Sequence, residues 1–330
     1  MFVLLLSSLA LAADPGAKPD TPAVKVGGTI YTHFGYDLSE GADGYNAFAL
    51  DRAYLTATAK LPEGFGARVT LDTDRVSSTS LPDGSTVTVD TKYRTYVKYA
   101  YVHWREAHTG IQARAGVVDT PYAPFYDSFM KIRYITKGFA DRNKILDTAD
   151  IGAGLQGTHA KGLLEWNAAL LNGEGYGKPE SDAGKAVQAR ITLDPLASGG
   201  EMNLPVTGFV SYSGEQDADP VITALGAVGF KQGHVAAWAE VLTILEGDTT
   251  TLGWSGTLHP VLPDVGGLLV RYDHLDPDTE QDRDASDTLI AGVTHDFVPK
   301  VSLAATYERT TREDDSNPSH GAFLRFQAGF

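Results

Sequence analysis

Lys131, Arg133, Lys137, Arg142 and Lys144 all fall within one connection, "DTPYAPFYDSFMKIRYITKGFADRNKILDTAD" (119–150), interspersed with Asp127, Asp141, Asp147 and Asp150. Cations gathered at a constriction lower the energy of a passing anion, and guanidinium groups can hold phosphate in bidentate fashion. A second basic set occupies the polar positions of alternating segments: Arg52, Arg68, Arg94, Lys98, Arg114, Arg190, Arg271 and Arg325. Facing the connection, these residues would form the opposite wall of a charged passage. The other reading is that they pair with acids such as Asp72, Asp74 and Asp273 and stiffen the wall.

Catalytic and metal-binding patterns are not apparent. His33, His103, His159, His234, His259, His274 and His295 are scattered over the chain without His-Glu-x-x-His spacing, and Gly-x-Ser-x-Gly does not occur. No Asp-x-Asp-x-Asp-Gly calcium loop occurs, so neither a metal nor a cofactor is expected. The net charge of −15, with no concentrated basic stripe, argues against nucleic acid as a partner. Much of that charge sits in loop segments, Asp276 to Asp287 and Glu313 to Asp315, where a solvated rim is the simplest reading.

The segments that must carry these residues alternate in polarity with period two. In "GFGARVTLDTD" Phe65, Ala67, Val69 and Leu71 oppose Arg68, Thr70, Asp72 and Asp74. In "YRTYVKYAYVHW" Val97, Tyr99 and Tyr101 oppose Arg94, Tyr96 and Lys98; in "KAVQARITL" Val187, Ala189, Ile191 and Leu193 oppose Gln188, Arg190 and Thr192. About sixteen such strands are expected, each near the ten residues that a tilted membrane strand needs. Tight turns ("LPEGFG", "AHTG", "HAKG", "KQGH", "FVPK") alternate with longer polar loops ("STSLPDGSTVTVDTK", "GEGYGKPESDAG", "DPDTEQDRDAS", "REDDSNPSH"). This layout predicts an all-β, transmembrane antiparallel β-barrel rather than a sandwich or propeller. Tyr31, Tyr36, Tyr101, Trp104, Trp166, Phe297 and Phe330 fall where interfacial aromatic girdles are expected.

The ends of the chain fit export. "MFVLLLSSLALAADPG" has an apolar run too short to span a bilayer, ending in the small-x-small pattern Ala10-Leu11-Ala12. We read residues 1–12 as a signal peptide, 13–23 as a short periplasmic lead and 24–330 as the barrel. The absence of cysteine is compatible with a large exported domain. At the other end, "FLRFQAGF" alternates up to Phe330.

That terminal strand resembles the last strand of bacterial outer-membrane proteins, whose final aromatic is read by the barrel-assembly machinery. The mature chain resembles the bacterial porins, and "FALDRAYLTATAKLPEGFGARVTLDTDR" (48–75) is similar to the early hairpin of the phosphate-selective porin O/P group. The resemblance implies an outer-membrane homotrimer among lipid and lipopolysaccharide, forming a water-filled channel for passive diffusion of small ions and solutes. It also implies a third external loop, joining the fifth and sixth strands, that folds inward. The 119–150 connection holds that position, and Thr120-Pro121 with Phe125 and Phe129 four apart predicts a short helix within it. Small residues on one strand face, Ala53, Ala57 and Ala59, suit a protomer contact. Lys131, Arg133, Lys137, Arg142, Lys144, Arg68, Arg94, Lys98, Arg114 and Arg190 are the candidates for setting charge preference. An adhesive or structural barrel, or a hydrolase seated at the rim, is the alternative function.

Overall fold

A computed structural model describes residues 23–75, 79–80, 86–87, 92–180, 182–197, 201–214, 219–262 and 265–330. The expected signal peptide, nearly all of the expected lead, and most of the loop at 78–92 lie outside the described residues. Sixteen barrel strands follow one another: β1 (Ala23–Asp37), β2 (Asn46–Lys60), β3 (Phe65–Arg75), β4 (Tyr93–Arg105), β5 (Gln112–Asp119), β6 (Ala149–His159), β7 (Leu164–Leu171) and β8 (Ala186–Leu193). The second half comprises β9 (Val206–Ser213), β10 (Val221–Gln232), β11 (Val235–Glu246), β12 (Thr249–Leu262), β13 (Gly266–Asp276), β14 (Ser286–Val298), β15 (Val301–Arg312) and β16 (Asp315–Gly329). Each pairs antiparallel with its sequence neighbours, and β16 returns to pair with β1 from Thr29↔Gly329 to Asp37↔Gly321. Closure removes every long sheet edge, which a bilayer requires because lipid offers no hydrogen-bond partner.

The two faces have exchanged the usual roles. Ile191, Val210, Val228, Val241, Leu258, Leu268, Val293 and Leu324 are exposed on the outer face, whereas Arg190, Thr207, Thr223, Ser255, Arg271, Asp273 and Thr306 are buried on the inner one. A soluble protein does not leave so continuous an apolar surface in water, so this face is suited to lipid. No helix among the described residues is long and apolar enough to cross a membrane.

Three features depart from simple alternation. A bulge between Thr70 and Leu71 leaves Lys98 unpaired between Tyr99, opposite Thr70, and Val97, opposite Leu71. The extra residue turns both Lys98 and Tyr99 inward, where period two alone put Tyr99 outside. Tyr101, paired with Arg68, and Tyr31, paired with Arg52, also face inward, so neither belongs to an outer girdle. Trp104, Phe297 and Phe330 are exposed on the outer face, as expected. Finally, β16 reaches back to Asp315, so most of "REDDSNPSH" is strand closed by a turn at Glu313-Asp314.

Between β5 and β6 lie two helices, α1 (Ala123–Met130) and α2 (Phe139–Arg142). The helix begins after Tyr122, with Pro124 as its early proline, rather than at Thr120-Pro121. Lys131 ends α1 in the left-handed conformation (φ 58°), its amide donating to the Asp127 carbonyl. Tyr122, Tyr126, Met130, Ile132, Ile135, Phe139 and Leu146 form one core with Phe209, Leu225, Trp238, Leu242, Leu269 and Ile290 of β9–β14. Burying side chains such as Ile132 and Phe139 contributes about 1.5–3 kcal/mol each. Close approach is built in, because a Cβ at Gly253 would lie 2.6 Å from the Phe139 ring and one at Gly229 2.8 Å from Trp238.

Candidate functional site

The inner wall carries cations on β2–β5, β8, β13 and β16, most of them already matched to acids. Arg52 Nη1 contacts Asp72 at 3.1 Å and Asp74 at 3.0 Å and donates to Tyr96 Oη at 2.6 Å. Arg114 is paired with Asp119 and donates to Asn167 Oδ1 at 3.1 Å. On β8, Arg190 is paired with Glu165, donates to the Pro121 carbonyl at 2.8 Å, and lies 3.8 Å over the Phe125 ring. Across the barrel Arg271 holds Asp273 at 2.8 Å and donates to the Lys137 carbonyl at 2.6 Å. Arg325 binds Glu308 at 2.7 Å. Paired in this way, these residues join strand to strand and wall to connection while adding little net charge.

Arg68 and Lys98 are different. Arg68 Nε donates to Thr70 Oγ1 at 3.1 Å and its guanidinium lies 4.3 Å over Tyr99. Lys98, only 3% exposed, donates to Tyr54 Oη at 3.4 Å among the rings of Tyr54, Tyr99 and Tyr176, at 5.1, 5.8 and 5.5 Å. Neither makes an ion pair among the described residues. Aromatic faces screen a cation partly without cancelling its charge. Arg94, opposite Asp74 near the end of β4, is exposed and stands apart from this group.

The connection is balanced in charge: five basic residues (131, 133, 137, 142, 144) against five acidic ones (119, 127, 141, 147, 150). Arg133 Nη1 reaches Asp127 at 2.5 Å and Asp141 at 2.7 Å, and Lys137 reaches Asp141 at 3.3 Å. Arg142 holds Glu308 of β15 at 3.3 Å. Burial pushes the Asp127 carboxyl up, with Arg133 only partly offsetting it and Asp141 adding to the rise. Burial acts on Asp141 too, but Arg133 and Lys137 outweigh it and hold that carboxyl below its usual value. Asp147 is raised, first by burial and then by Asp141 and Asp150. Lys131 and Lys144 make no ion pair among the described residues.

A cavity of about 320 Å³ lies between wall and connection, lined by Arg68, Lys98, Tyr54 and Tyr99 on one side and Asp119, Asp127, Pro124 and Arg133 on the other. A neighbouring cavity of about 550 Å³ is bounded by Tyr31, Lys131, Arg133 and Phe330, and another of about 600 Å³ by Phe125, Phe129, Lys131, Arg190 and Lys231. The structure thus brings Arg68, Lys98 and Arg133 to one cavity, with Lys131 bordering the two beside it. Lys137, Arg142 and Lys144 lie elsewhere on the connection, Lys144 beside Asp147 and Lys178 in a separate cavity of about 260 Å³. Phe330 belongs to the barrel seam: its carbonyl accepts from Gly28 N at 3.1 Å and its amide donates to Gly28 O at 3.0 Å.

The tyrosines around Lys98 and the inward apolar patch of Phe209, Leu225, Trp238, Leu242, Leu269 and Ile290 are additions to the sequence-based list. The patch does leave a trace. In "VITALGAVGF" of β10, small Ala224 and Gly226 alternate with Leu225 and Ala227, so both faces read as apolar. A strand apolar on both sides must pack against something on its inner face.

No protein-family model and no curated protein matches the chain. Solved structures do. An anion-selective porin from Comamonas acidovorans is 13% identical, with 94% of this chain and 100% of that chain covered and a TM-score of 0.62. Pseudomonas putida OprB at high pH is 7% identical over 93% and 94%, with a TM-score of 0.70. Salmonella typhi OmpF, in complex with daunomycin, is 10% identical over 93% and 97%, with a TM-score of 0.69. At these identities the likeness is one of fold: a closed sixteen-stranded porin-like barrel.

Proposed function

We propose that this chain is an outer-membrane porin, a water-filled channel through which small hydrophilic solutes diffuse passively, with a preference for anions. The observation that carries the reading is the inverted polarity of the closed barrel, apolar outside and lined inside by Thr, Ser, Asp, Arg and Lys. The 119–150 connection acts as an inward-folded constriction. Its contacts with inward residues of β9–β15, including Trp238, Arg271 and Glu308, support that placement.

Charge preference follows from which cations remain unmatched. Arg133, Lys137, Arg142, Arg114 and Arg190 spend their charge on carboxylates, so they shape the passage more than they bias it. Arg68, whose guanidinium keeps its charge, supplies the net positive field beside Lys98, the arrangement that favours chloride, phosphate and similar anions. The likeness to an anion-selective porin points in the same direction. Phe330 serves as the assembly signal for the barrel-assembly machinery. The outward small residues Ala53, Ala57 and Ala59 of β2 contribute to a homotrimer contact within lipid and lipopolysaccharide.

The test is the zero-current potential of purified protein in a planar bilayer under a salt gradient. An anion-selective sign that diminishes in Arg68→Gln and Lys98→Gln supports the reading. Cation selectivity overturns the preference, and a folded protein that passes no current overturns the channel.

A further inference from the structure

The cavity of about 600 Å³ beside the end of α1 has a composition that simple ion permeation does not require. Phe125 and Phe129 each present a half-buried ring to it, braced from behind by the Trp238 indole at 5.9 and 5.2 Å. Lys131 and Lys231 border the same space. Lys231 Nζ donates to the Phe129 carbonyl at 3.4 Å and lies 5.8 Å from the Phe129 ring centroid, and Lys131 follows two positions further along the chain.

The carboxylates of this cavity have partners other than Lys131 and Lys231. Asp119 is held by Arg114 and Glu165 by Arg190. Asp194 accepts from the amides of Leu196 and Leu204 and from Asn203 Nδ2, at 3.0, 2.9 and 2.9 Å. Neither Lys131 nor Lys231 makes an ion pair among the described residues. Two like charges thus border the side of the space that the Phe125 and Phe129 rings wall. An anion bridging them would relieve that repulsion, and a flat apolar body attached to it would cover the two rings.

We propose that this cavity is a binding subsite for small aromatic carboxylates, with the carboxylate between Lys131 and Lys231 and the ring against Phe125 and Phe129. The inference rests on the channel reading, since it places the subsite along the solute's route. The volume falls within the range of small-molecule sites, roughly 300–1,000 Å³. Inorganic phosphate would use the lysines but not the rings, so the pairing of the two favours an aryl anion.

The test uses benzoate as probe, with acetate and benzylammonium as controls, on full-length protein. Binding is read by saturation-transfer NMR in detergent and block of the chloride current in a planar bilayer. Benzoate should bind and block at concentrations about tenfold below acetate, and the double variant Lys131→Gln/Lys231→Gln should erase that difference, a change of about 1.4 kcal/mol. Benzoate behaving like acetate, or like benzylammonium, overturns the proposal, as does benzoate binding undiminished in the double variant. A protein that carries chloride but shows no benzoate preference rejects the subsite and keeps the channel. Lysine-dependent benzoate binding without current keeps the subsite and rejects the channel.

Discussion

Tyr122 Oη donates a hydrogen bond to Glu240 Oε2, linking the start of α1 to the middle of β11 across 118 residues of chain. Both side chains are buried, and among the described residues Glu240 Oε1 and the neighbouring Trp238 indole N–H have no hydrogen-bond partner. Tyr122→Phe should therefore leave the whole Glu240 carboxyl group unmatched and destabilise the fold by about 1–3 kcal/mol. Tyr122→Phe combined with Glu240→Leu should recover part of that loss. Thermal unfolding of the two single variants and the double variant in detergent gives the coupling, and strict additivity would show that the contact has no energetic role.

Trp238 is the floor on which Phe125, Tyr126 and Phe129 rest, with ring centroids 5.9, 5.7 and 5.2 Å away. Trp238→Ala should cost about 3–5 kcal/mol through the cavity it leaves. If 119–150 forms the constriction, single-channel recordings should also become noisier as α1 loosens. A quiet channel of unchanged conductance would place the constriction elsewhere.

Removing Arg133 should have the opposite character to removing Arg68. Arg133→Gln leaves Asp141 with only Lys137 and Asp127 with no ion-pair partner among the described residues, so the cavity gains net negative charge and the protein loses about 3–5 kcal/mol. Arg68→Gln deletes a charge that no carboxylate depends on, and should shift selectivity with little loss of stability. Comparing zero-current potential with melting temperature for each variant separates the two cases.

Acidification acts on Asp127 before Asp141. Burial raises Asp127 above 3.8, whereas Arg133 and Lys137, overcoming burial, hold Asp141 below 3.8. As pH falls towards Asp127's raised pKa, its negative charge is lost and anion preference should increase; Asp127→Asn should show the increase already at neutral pH. Proton uptake by Asp127 favours the folded state as pH falls through its raised pKa. The stabilising contribution of Asp141 is present above 3.8 and is lost as pH falls through its depressed folded pKa. A selectivity independent of pH down to 3.8 would contradict the assignment.

Gly28 lies beneath the Phe330 ring. A Cβ there would come within 2.3 Å of Phe330 Cζ and 2.9 Å of the Tyr54 carbonyl oxygen. Gly28→Val should displace the terminal ring and slow folding into detergent, measured by the heat-resistant mobility shift on gels. Refolding at the wild-type rate would show that the seam tolerates a side chain.

The strands were legible because lipid on one side and water on the other impose period two over nearly every segment. "KAVQARITL" places Arg190 and Thr192 inside and Ile191 and Leu193 outside as its alternation reads. Lys98 and Tyr99 were not legible as a pair, since a bulge depends on the partner strand and leaves no local mark. The neutralisation of Arg52 by Asp72 and Asp74 was one of two readings of the wall cations, because matching charges is decided by distances across strands. The inward patch around Trp238 was missed because apolar residues on both faces of β10 and β11 simply weaken the period instead of announcing a partner.

The ladder from Thr29↔Gly329 to Asp37↔Gly321 joins segments separated by almost the entire chain. Every other ladder in the wall links consecutive strands, while this one waits until those fifteen have formed. Its closure therefore carries the largest loop entropy of the wall and falls late in assembly. Until then β1 and β16 each present an open row of amides and carbonyls, free to pair with a neighbouring chain as readily as with each other. The seam makes assembly of the cylinder close to an all-or-none event, and a substitution that weakens it should yield linear aggregates more than partly open barrels.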